Sequence, residues 1–325
     1  MTWGKVINMS SKLKILTGNA NPLLAKEIAA FAGIALCETE VFKFSNDESF
    51  AKIIDNVRGD DVFIIQPTCY PVNDSIMELL IMIDALKRAS ANRINCVIPY
   101  YGYGRSDKKD QPRVPITAKL VADLITIAGA NRVLTLDLHA DQIQGFFDIP
   151  VDHLYSTPIF VKYFKNLGYK SDEKVVVSPD SGGANRARAF AKRLECSLAI
   201  GDKRRQGNDD NAEVLHVIGE VKDKIAILYD DIIDTGSTLI KVASKLTEQG
   251  AKQVYACCVH GVLSKNAVEN IEKSTIDKLL ITNSIPLSDE KKGRSSKIVQ
   301  LSIAELLATA IRKIHMEESI STLFR

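Results

Sequence analysis

The sequence predicts an α/β protein with two similar domains in tandem, each built on a mostly parallel β-sheet flanked by helices. Three observations support this fold class. Short apolar runs alternate with longer amphipathic ones, one helix–strand segment occurs twice, and an acidic loop containing glycine follows one apolar run. Such alternation is typical of parallel sheets, because a helix must carry the chain back before each new strand.

Seven short apolar runs have the length and composition of buried strands. They occupy residues 62–66, 93–100, 132–139, 174–180, 196–203, 224–231 and 253–260. Helical patterns, such as those of residues 75–90 and 116–130, lie between several of them. We therefore predict a largely parallel sheet in each half of the chain.

One segment of the chain is repeated. Residues 117–139 and 238–260 align at a constant offset of 121 residues, with eight identical pairs in 23 positions. Each copy reads as a helix, a glycine that ends it and a strand that ends in histidine. We therefore predict two similar domains, residues 1–155 and 156–325. The alternative explanation of these identities is that α/β proteins in general share such a helix–glycine–strand pattern.

The composition argues against several classes of protein. The 325 residues include 42 Lys and Arg against 40 Asp and Glu, so no excess of positive charge indicates a nucleic-acid partner. No apolar run reaches membrane-spanning length, and the first residues lack the apolar core of a signal peptide. Six cysteines without C-x-x-C spacing are predicted to be buried free thiols in a reducing compartment. We expect a cytoplasmic protein that binds neither nucleic acid nor membranes.

The stretch LYDDIIDTGST, residues 228–238, combines three carboxylates with a short glycine–hydroxyl run. It ends an apolar strand, and open α/β sheets bind ligands at the carboxyl ends of their strands. We expect Thr235 or Ser237 to cap the following helix, whose first N–H groups favour an anion. Carboxylates suit vicinal hydroxyls or a metal ion. A sugar phosphate satisfies both parts of the stretch; a solvent-exposed acidic turn is the alternative.

Several stretches together resemble one enzyme family. An apolar strand followed by Asp-Asp, two aliphatic residues and Asp-Thr-Gly-Ser-Thr is similar to the phosphoribosyl-diphosphate loop of type I phosphoribosyltransferases. No Walker sequence occurs, so ATP would be held by other means. From about residue 13 onward, the chain resembles ribose-phosphate diphosphokinase in residues 16–29, 73–105, 137–155, 175–194, 202–205, 261–264, 282–290 and 318–324.

This resemblance implies both a fold and a reaction. The two domains would be type I phosphoribosyltransferase-like, with the ATP side in 1–155 and the ribose 5-phosphate loop in 156–325. The C-terminal segment would pack back on the first domain. Members of the family transfer the β,γ-diphosphoryl group of ATP to the C1 hydroxyl of ribose 5-phosphate, with Mg²⁺, and release AMP. They usually form hexamers built from dimers, so a homo-oligomer is expected.

On the sugar side, the resemblance implies roles for two groups of residues. Asp230 and Asp231 would bind the ribose hydroxyls. Lys203 and Arg205 would lie on a mobile loop and close over the transferring phosphates, where cationic heads suit the developing charge. The 5-phosphate would be held by five consecutive residues, Asp234, Thr235, Gly236, Ser237 and Thr238.

On the nucleotide side, the resemblance implies that a region between neighbouring subunits grips the adenine by aromatic stacking and polar contacts. His139 would contact both the ATP phosphates and Mg²⁺, and Asp180 would contact a metal near the ribose, with Asp137 as a weaker metal candidate. The other histidines are predicted to be structural. The ATP-binding residues would be Phe44, Asn46, Asp47, Glu48, Arg105, Ser106 and His139.

The chain departs from the usual family pattern at a few positions. Asn46 and Asp47 replace an aspartate and a flexible glycine, and Ser106 replaces a glutamine. Ser237 adds a hydroxyl beside the phosphate. Because an amide can both donate and accept, we expect looser selectivity for the base. The sugar-phosphate side is nearly intact.

The residues leave one main hypothesis for the function and two alternatives. An active ATP:ribose-5-phosphate diphosphotransferase for nucleotide biosynthesis is the main hypothesis. A non-catalytic regulatory paralogue would not need His139, Asp180, Lys203, Arg205 or a complete phosphate loop. A phosphoribosyltransferase that consumes the activated sugar would not explain the tandem repeat.

Overall fold

The computed structural model describes residues 11–205 and 213–324, without the side chains of 203–205, 213–215 and 324. The chain divides into two compact units, one made of the residues up to Leu154 together with Ala304–Phe324 and the other of Tyr155–Ile303. In 11–205 and 213–324, no helix has the length and apolar character required to cross a membrane.

The first unit is built around a parallel sheet. In chain order its elements are β1 (Leu13–Thr17), α1 (Pro22–Ala32), β2 (Thr39–Lys43), β3 (Ser49–Ile53), β4 (Asp61–Ile65), α2 (Val72–Arg88), β5 (Arg93–Ile98), α3 (Thr117–Ala128), β6 (Arg132–Leu136), a 3₁₀ helix (Asp141–Phe146) and β7 (Val151–Leu154). The strand order is β1-β4-β5-β6-β7, and all neighbours run parallel. Strands β2 and β3 form a separate antiparallel hairpin.

The second unit has a larger sheet. Its elements are α4 (Thr157–Asn166), β8 (Lys174–Ser178), α5 (Ala184–Leu194), β9 (Ser197–Arg205), β10 (Glu213–Ile218), β11 (Ile225–Ile233), α6 (Ser237–Glu248), β12 (Gln253–Gly261), α7 (Ala267–Lys273), β13 (Lys278–Thr282), α8 (Asp289–Gly293) and β14 (Ile298–Leu301). The order is β10-β9-β8-β11-β12-β13-β14. Only the β9–β10 pair within this sheet is antiparallel.

The predicted α/β class is confirmed, and each of the seven predicted strands is present. The reason is burial on both faces: every residue of β4 and of β8 is buried, as expected for central parallel strands. Apolar side chains of the helices then cover the sheets, with Leu79 and Ile125 in the first core and Leu239 and Val242 in the second. All six cysteines are free thiols; five are buried, as predicted, whereas Cys196 is only half-buried.

The two repeated segments adopt the same local structure, with one difference. Helix α3 is followed by Gly129 and helix α6 by Gly250, both at positive φ, before the next strand begins. The prediction that both strands end in histidine is wrong for the first copy. Strand β6 ends at Leu136, because Asp137 turns the chain out of the sheet at a φ of 40°. His139 therefore lies beyond the strand, whereas His260 lies within β12.

Helix α9 (Ala304–His315) belongs to the first unit, although it comes last in the chain. The carboxylate of Asp61 is fully buried at the start of β4, and it accepts hydrogen bonds from Arg93 Nε at 3.0 Å and Asn95 Nδ2 at 2.8 Å. Nδ1 of His315, at the end of α9, lies 2.9 Å from the same carboxylate. This buried network links the C-terminal helix to the first sheet.

Candidate functional site

Acidic side chains of the second unit gather at the carboxyl ends of two neighbouring parallel strands. Strand β8 pairs with β11 from Ile225 to Leu228, so both strands end at the same edge of the sheet. Asp180 follows β8, and Asp230 and Asp231 lie in the last part of β11. The structure thus brings together three of the predicted site residues at the edge where open α/β sheets bind ligands.

Asp230 and Asp231 form a closely coupled pair. Asp230 Oδ1 accepts the backbone N–H of Asp231 at 2.9 Å. Burial, the adjacent Asp231 charge and hydrogen bond, and the nearby Asp180 together raise the pKa of the Asp230 carboxyl to about 8. At neutral pH the pair therefore holds a proton, which gives it both a donor and acceptors for sugar hydroxyls.

Arg186 lies against the second acid of the pair. Its Nη1 atom is 3.1 Å from Asp231 Oδ2, and the contact is an ion pair without hydrogen-bond alignment. The Asp231 side chain is 6% exposed and that of Arg186 is 30% exposed, so solvent screens this contact only in part. Arg186 belongs to the first turn of α5, which begins four residues after Asp180.

The loop between β11 and α6 has the geometry of an anion site. Gly236 occupies the position before the helix at φ 77°, a left-handed conformation that glycine adopts without strain. The prediction that Thr235 or Ser237 caps α6 is wrong: no side chain caps the helix, because the two hydroxyl oxygens lie 3.2 Å from each other instead. Helix α6 therefore begins without a side-chain N-cap, and Thr238 lies within its first turn.

Asp234 fixes the loop from its other side. Its carboxylate accepts a short hydrogen bond from the Ser264 hydroxyl, and its backbone carbonyl accepts the Ser264 N–H at 3.1 Å. The carboxylate is thus held by the segment after β12. A carboxylate repels phosphate, so the contribution of Asp234 to phosphate binding lies in shaping the loop.

In the first unit, three of the predicted ATP-binding residues line one cavity. Arg105, Ser106 and His139 share a space of about 360 Å³ with Asp107, Lys108, Asp110, Val114 and Pro115. Close backbone packing brings them together, since a Cβ on Gly104 would lie 3.7 Å from that of His139. The cationic, imidazole and hydroxyl groups of this cavity suit phosphate and polar nucleotide atoms, whereas the carboxylates of Asp107 and Asp110 repel phosphate.

A buried histidine supports the turn that carries His139. The backbone N–H of Leu138 donates to His153 Nε2 at 2.8 Å, and both residues are buried. The other ring nitrogen faces Gln144 Nε2 at 3.2 Å. Asp137, which starts the turn, donates its backbone N–H to Leu154 and is 3% exposed.

The other predicted ATP-binding residues lie at the tip of the β2–β3 hairpin and do not line the cavity. The tip closes through the N–H of Phe44, which donates to Glu48 O at 2.8 Å, while Asp47 adopts φ 67°. Asn46 Oδ1 accepts the Glu48 N–H at 3.4 Å. Phe44 is 47% exposed, and its ring makes edge-on contacts with Phe42 and Phe50.

The backbones of Lys203 and Arg205, the predicted catalytic cations, lie at the end of β9 and pair with β10, so the prediction that they lie on a loop is wrong. Their side chains, and residues 206–212, lie outside the described part of the structure. The predicted metal ligands are divided between the units, with His139 and Asp137 in the first and Asp180 in the second. Among the described residues, no three His, Cys, Asp or Glu side chains converge to hold a metal ion.

Sequence reasoning missed Arg186 and left His153 as purely structural. Arg186 contacts Asp231 from helix α5, and His153 contacts the turn that carries His139 from strand β7. One signal for Arg186 was available: two adjacent acids at a strand end need a nearby cation, and RAR follows SPDSGG after two intervening residues. No comparable local signal marks His153.

The comparisons with known proteins agree with this geometry. A family model described as the N-terminal domain of ribose phosphate pyrophosphokinase matches residues 13–129, and one described as a phosphoribosyl synthetase-associated domain matches residues 210–325. A crystal structure of phosphoribosylpyrophosphate synthetase from Mycobacterium smegmatis superposes with a TM-score of 0.89 and 41% identity, over 94% of this chain and 100% of that one.

Two curated relatives carry the name ribose-phosphate pyrophosphokinase, a synonym of the diphosphokinase. The Fusobacterium nucleatum protein is 52% identical over 98% of this chain and 100% of its own length. The Caldanaerobacter subterraneus protein is 56% identical over 97% of this chain and 98% of its own. On these similarities, which run along nearly the whole sequence, the chain belongs to the ribose-phosphate pyrophosphokinase family.

Proposed function

We propose that this chain transfers the diphosphoryl group of ATP to the C1 hydroxyl of ribose 5-phosphate, giving 5-phosphoribosyl 1-diphosphate and AMP for nucleotide biosynthesis. One observation above all supports the sugar substrate. The coupled acids Asp230 and Asp231 precede a helix start without a side-chain cap on the same strand–loop–helix segment. A molecule with hydroxyls at one end and a phosphate at the other satisfies both.

On the sugar side, the loop that includes Thr235, Gly236 and Ser237 would bind the 5-phosphate through its backbone N–H groups and hydroxyls. The helix dipole of α6 favours this anion, and Thr238 would contribute its side chain from the first turn. Asp230 and Asp231 would bind the ribose hydroxyls, and Asp234 would keep the loop in place through Ser264.

On the nucleotide side, Arg105, Ser106 and His139 would bind ATP in the cavity of the first unit. The exposed Phe44 ring and the polar groups of Asn46, Asp47 and Glu48 would grip the base from a neighbouring copy of the chain. This arrangement requires a homo-oligomer, for which we propose a hexamer built from dimers. Free cysteines suit a cytoplasmic location.

Mg²⁺ is the metal that we propose: His139, with Asp137 as a weaker ligand, would contact it at the ATP phosphates, and Asp180 would contact a metal near the ribose. The described donors fit an ion bound largely through substrate phosphates, because Mg²⁺ usually takes only one or two protein groups and completes its shell with phosphate and water. When bound, it would neutralise charge on the transferring phosphates. The low exposure of Asp137 gives it less room to contact an ion.

Catalysis of this transfer depends mainly on positioning the substrates and on positive charge near the transferring phosphates. Lys203 and Arg205 would supply that charge to the transferring diphosphoryl group. The C1 hydroxyl oxygen forms the new bond to the β-phosphorus of ATP, the bond from that phosphorus to the α,β-bridging oxygen breaks, and AMP leaves. The acids that hold the sugar hydroxyls would orient C1 for this attack.

The direct test is ³¹P NMR of the protein with ATP, ribose 5-phosphate and Mg²⁺. New resonances of a C1 diphosphate that appear with AMP rather than ADP are the expected result. The variant Lys203→Ala should lose turnover by orders of magnitude while still binding ribose 5-phosphate in calorimetry. An inert wild-type spectrum, with ribose 5-phosphate bound, would favour the regulatory paralogue or a different donor, and other nucleoside triphosphates would separate those two.

A further inference from the structure

We propose that Arg186 is a positioning residue for ribose 5-phosphate, which acts by holding the Asp231 carboxylate in its charged, substrate-binding orientation. The proposal rests on the proposed function, because it assigns Asp231 to the sugar hydroxyls. It adds to the site a residue on a different element from the acids and the phosphate loop. The basis is the 3.1 Å ion pair between Arg186 Nη1 and Asp231 Oδ2.

Arg186 is held firmly enough to orient a partner. It lies in the first turn of α5, and the loop before this helix is fixed where Asp180 Oδ1 accepts the Gly183 N–H at 2.9 Å. The same helix is anchored to the core by Ala187 and Phe190, which are fully buried. The guanidinium therefore approaches the acids from a rigid element.

The acids need such a partner. Asp231 is 5% exposed and lies directly beside Asp230, so an ionised carboxylate there loses hydration and meets the repulsion of its neighbour. A guanidinium at 3.1 Å offsets both costs for Asp231, and it makes the pair asymmetric, since the cation contacts the second acid. An ionised, fixed Asp231 is an acceptor ready for a ribose hydroxyl.

A direct contact between Arg186 and the substrate is the competing explanation, and a double-mutant cycle separates the two. If Arg186 acts through Asp231, its loss cannot matter once Asp231 is gone. If it binds ribose 5-phosphate by itself, the two losses add.

The experiment measures ribose 5-phosphate affinity by calorimetry, and KM and kcat by product formation, for Arg186→Met, Asp231→Asn and the double variant. Methionine keeps the apolar stem but removes the charge. We expect Arg186→Met to weaken affinity and raise KM by about tenfold to a hundredfold, with a smaller change in kcat. The double variant should bind no more weakly than Asp231→Asn. Arg186→Lys should recover most of the affinity, because the contact depends on charge more than on alignment.

Arg188→Met is the matched control, since Arg188 is an exposed residue of the same helix whose Nη1 contacts Asn185 at 3.0 Å. An unchanged affinity in Arg186→Met, or losses that add in the double variant, would overturn the proposal. Should Arg186→Met fail to fold, Arg186→Gln, which also removes the charge, is measured in the wild-type and Asp231→Asn backgrounds; equal losses in the two would overturn it as well. A wild-type protein that does not bind ribose 5-phosphate would instead refute the proposed function.

Discussion

His153 Nε2 accepts the backbone N–H of Leu138 at 2.8 Å inside the first unit, one residue before His139. The bond satisfies a buried N–H that β6 no longer pairs, because the strand ends at Leu136. It therefore fixes the direction in which the chain leaves the sheet. The side chain of His139 reaches the cavity with Arg105 and Ser106 from this turn.

Replacing His153 by alanine should lower kcat by about tenfold or more. The change leaves the Leu138 N–H buried without its acceptor, so the turn shifts and His139 moves with it. Glutamine can place an amide oxygen near the position of Nε2, and His153→Gln should therefore keep most of the activity. Steady-state kinetics for both variants check the prediction.

His216→Ala is the control for this experiment, because His216 is an exposed histidine on β10 in the second unit. It should behave as wild type. Equal activity in His153→Ala and wild type would show that the bond does not position His139.

The buried acid pair predicts a dependence of stability on pH. Burial and Asp231 raise the pKa of Asp230 in the folded protein to about 8, from the ordinary value of 3.8 for an aspartate. Between these values the folded protein binds the proton and the unfolded chain does not, so this group's contribution to stability falls as pH rises through that window. Asn at position 230 mimics the protonated acid and does not titrate. Asp230→Asn should therefore not lose this contribution to stability as pH rises.

We therefore expect the Tm of Asp230→Asn, measured relative to wild type, to increase by a few degrees between pH 5 and pH 8. Thermal unfolding at both values, without substrates or metal, measures the difference. A Tm difference that stays constant between pH 5 and pH 8 would contradict the raised pKa. Ribose 5-phosphate affinity should fall in the same variant, because one acceptor of the acid pair is lost.

The links between the C-terminal helix and the first sheet give a stability prediction. Asp61→Asn keeps the size of the side chain but removes the charge that Arg93 and His315 share. Because Asp61 is fully buried, the change removes the buried carboxylate that pairs with Arg93 and contacts His315, and it should cost on the order of 3 kcal/mol. Chemical unfolding followed by circular dichroism measures this loss.

Asp84→Asn is the matched control, since Asp84 and Arg88 form an ion pair at 2.6 Å on the surface of α2, where both side chains are at least 50% exposed. It should change stability by less than about 1 kcal/mol. Similar losses in the two variants would mean that burial of the Asp61 network does not set its strength.

Much of the fold could be predicted because strands that are buried on both faces are apolar throughout. The runs at β4, β5, β8, β11 and β12 are visible in the sequence for this reason. The place of the acid pair could be predicted once the strands were known, because ligands bind at the carboxyl ends of parallel strands. The β2–β3 hairpin has no buried residue, and its strands gave no comparable signal.

Two kinds of feature could not be predicted: the choice among neighbouring capping residues, and contacts between residues far apart in the chain. Thr235 and Ser237 are both good capping residues, but Gly236 takes the position before α6 at positive φ. Arg186 and Asp231 are 45 positions apart in the sequence, and Asp61 and His315 are separated by most of its length. For Arg186 the acid pair indicates that a cation is near without showing which one, and no local pattern shows that Asp61 and His315 meet.

Selectivity for the base gives the last prediction. Ser106 lines the cavity with Arg105, and Asn46 lies at the hairpin tip with its amide oxygen near the Glu48 N–H. An amide both donates and accepts, whereas aspartate only accepts, so Asn46→Asp should favour the exocyclic amine of adenine. Ser106→Gln adds reach and a second polar group. Together they should raise the ratio of kcat/KM for ATP over GTP by about threefold to tenfold, as one added hydrogen bond would.

Competition between ATP and GTP, with AMP and GMP release followed separately, measures this ratio. Lys52→Ala is a suitable control, because Lys52 lies on β3 of the same hairpin and contacts only a surface acid, Glu40, at 3.7 Å in the described contacts. It should leave the ratio as in wild type. A ratio that does not move in the double variant would show that neither position reads the base, and base binding would then rest on stacking against Phe44, which accepts any purine.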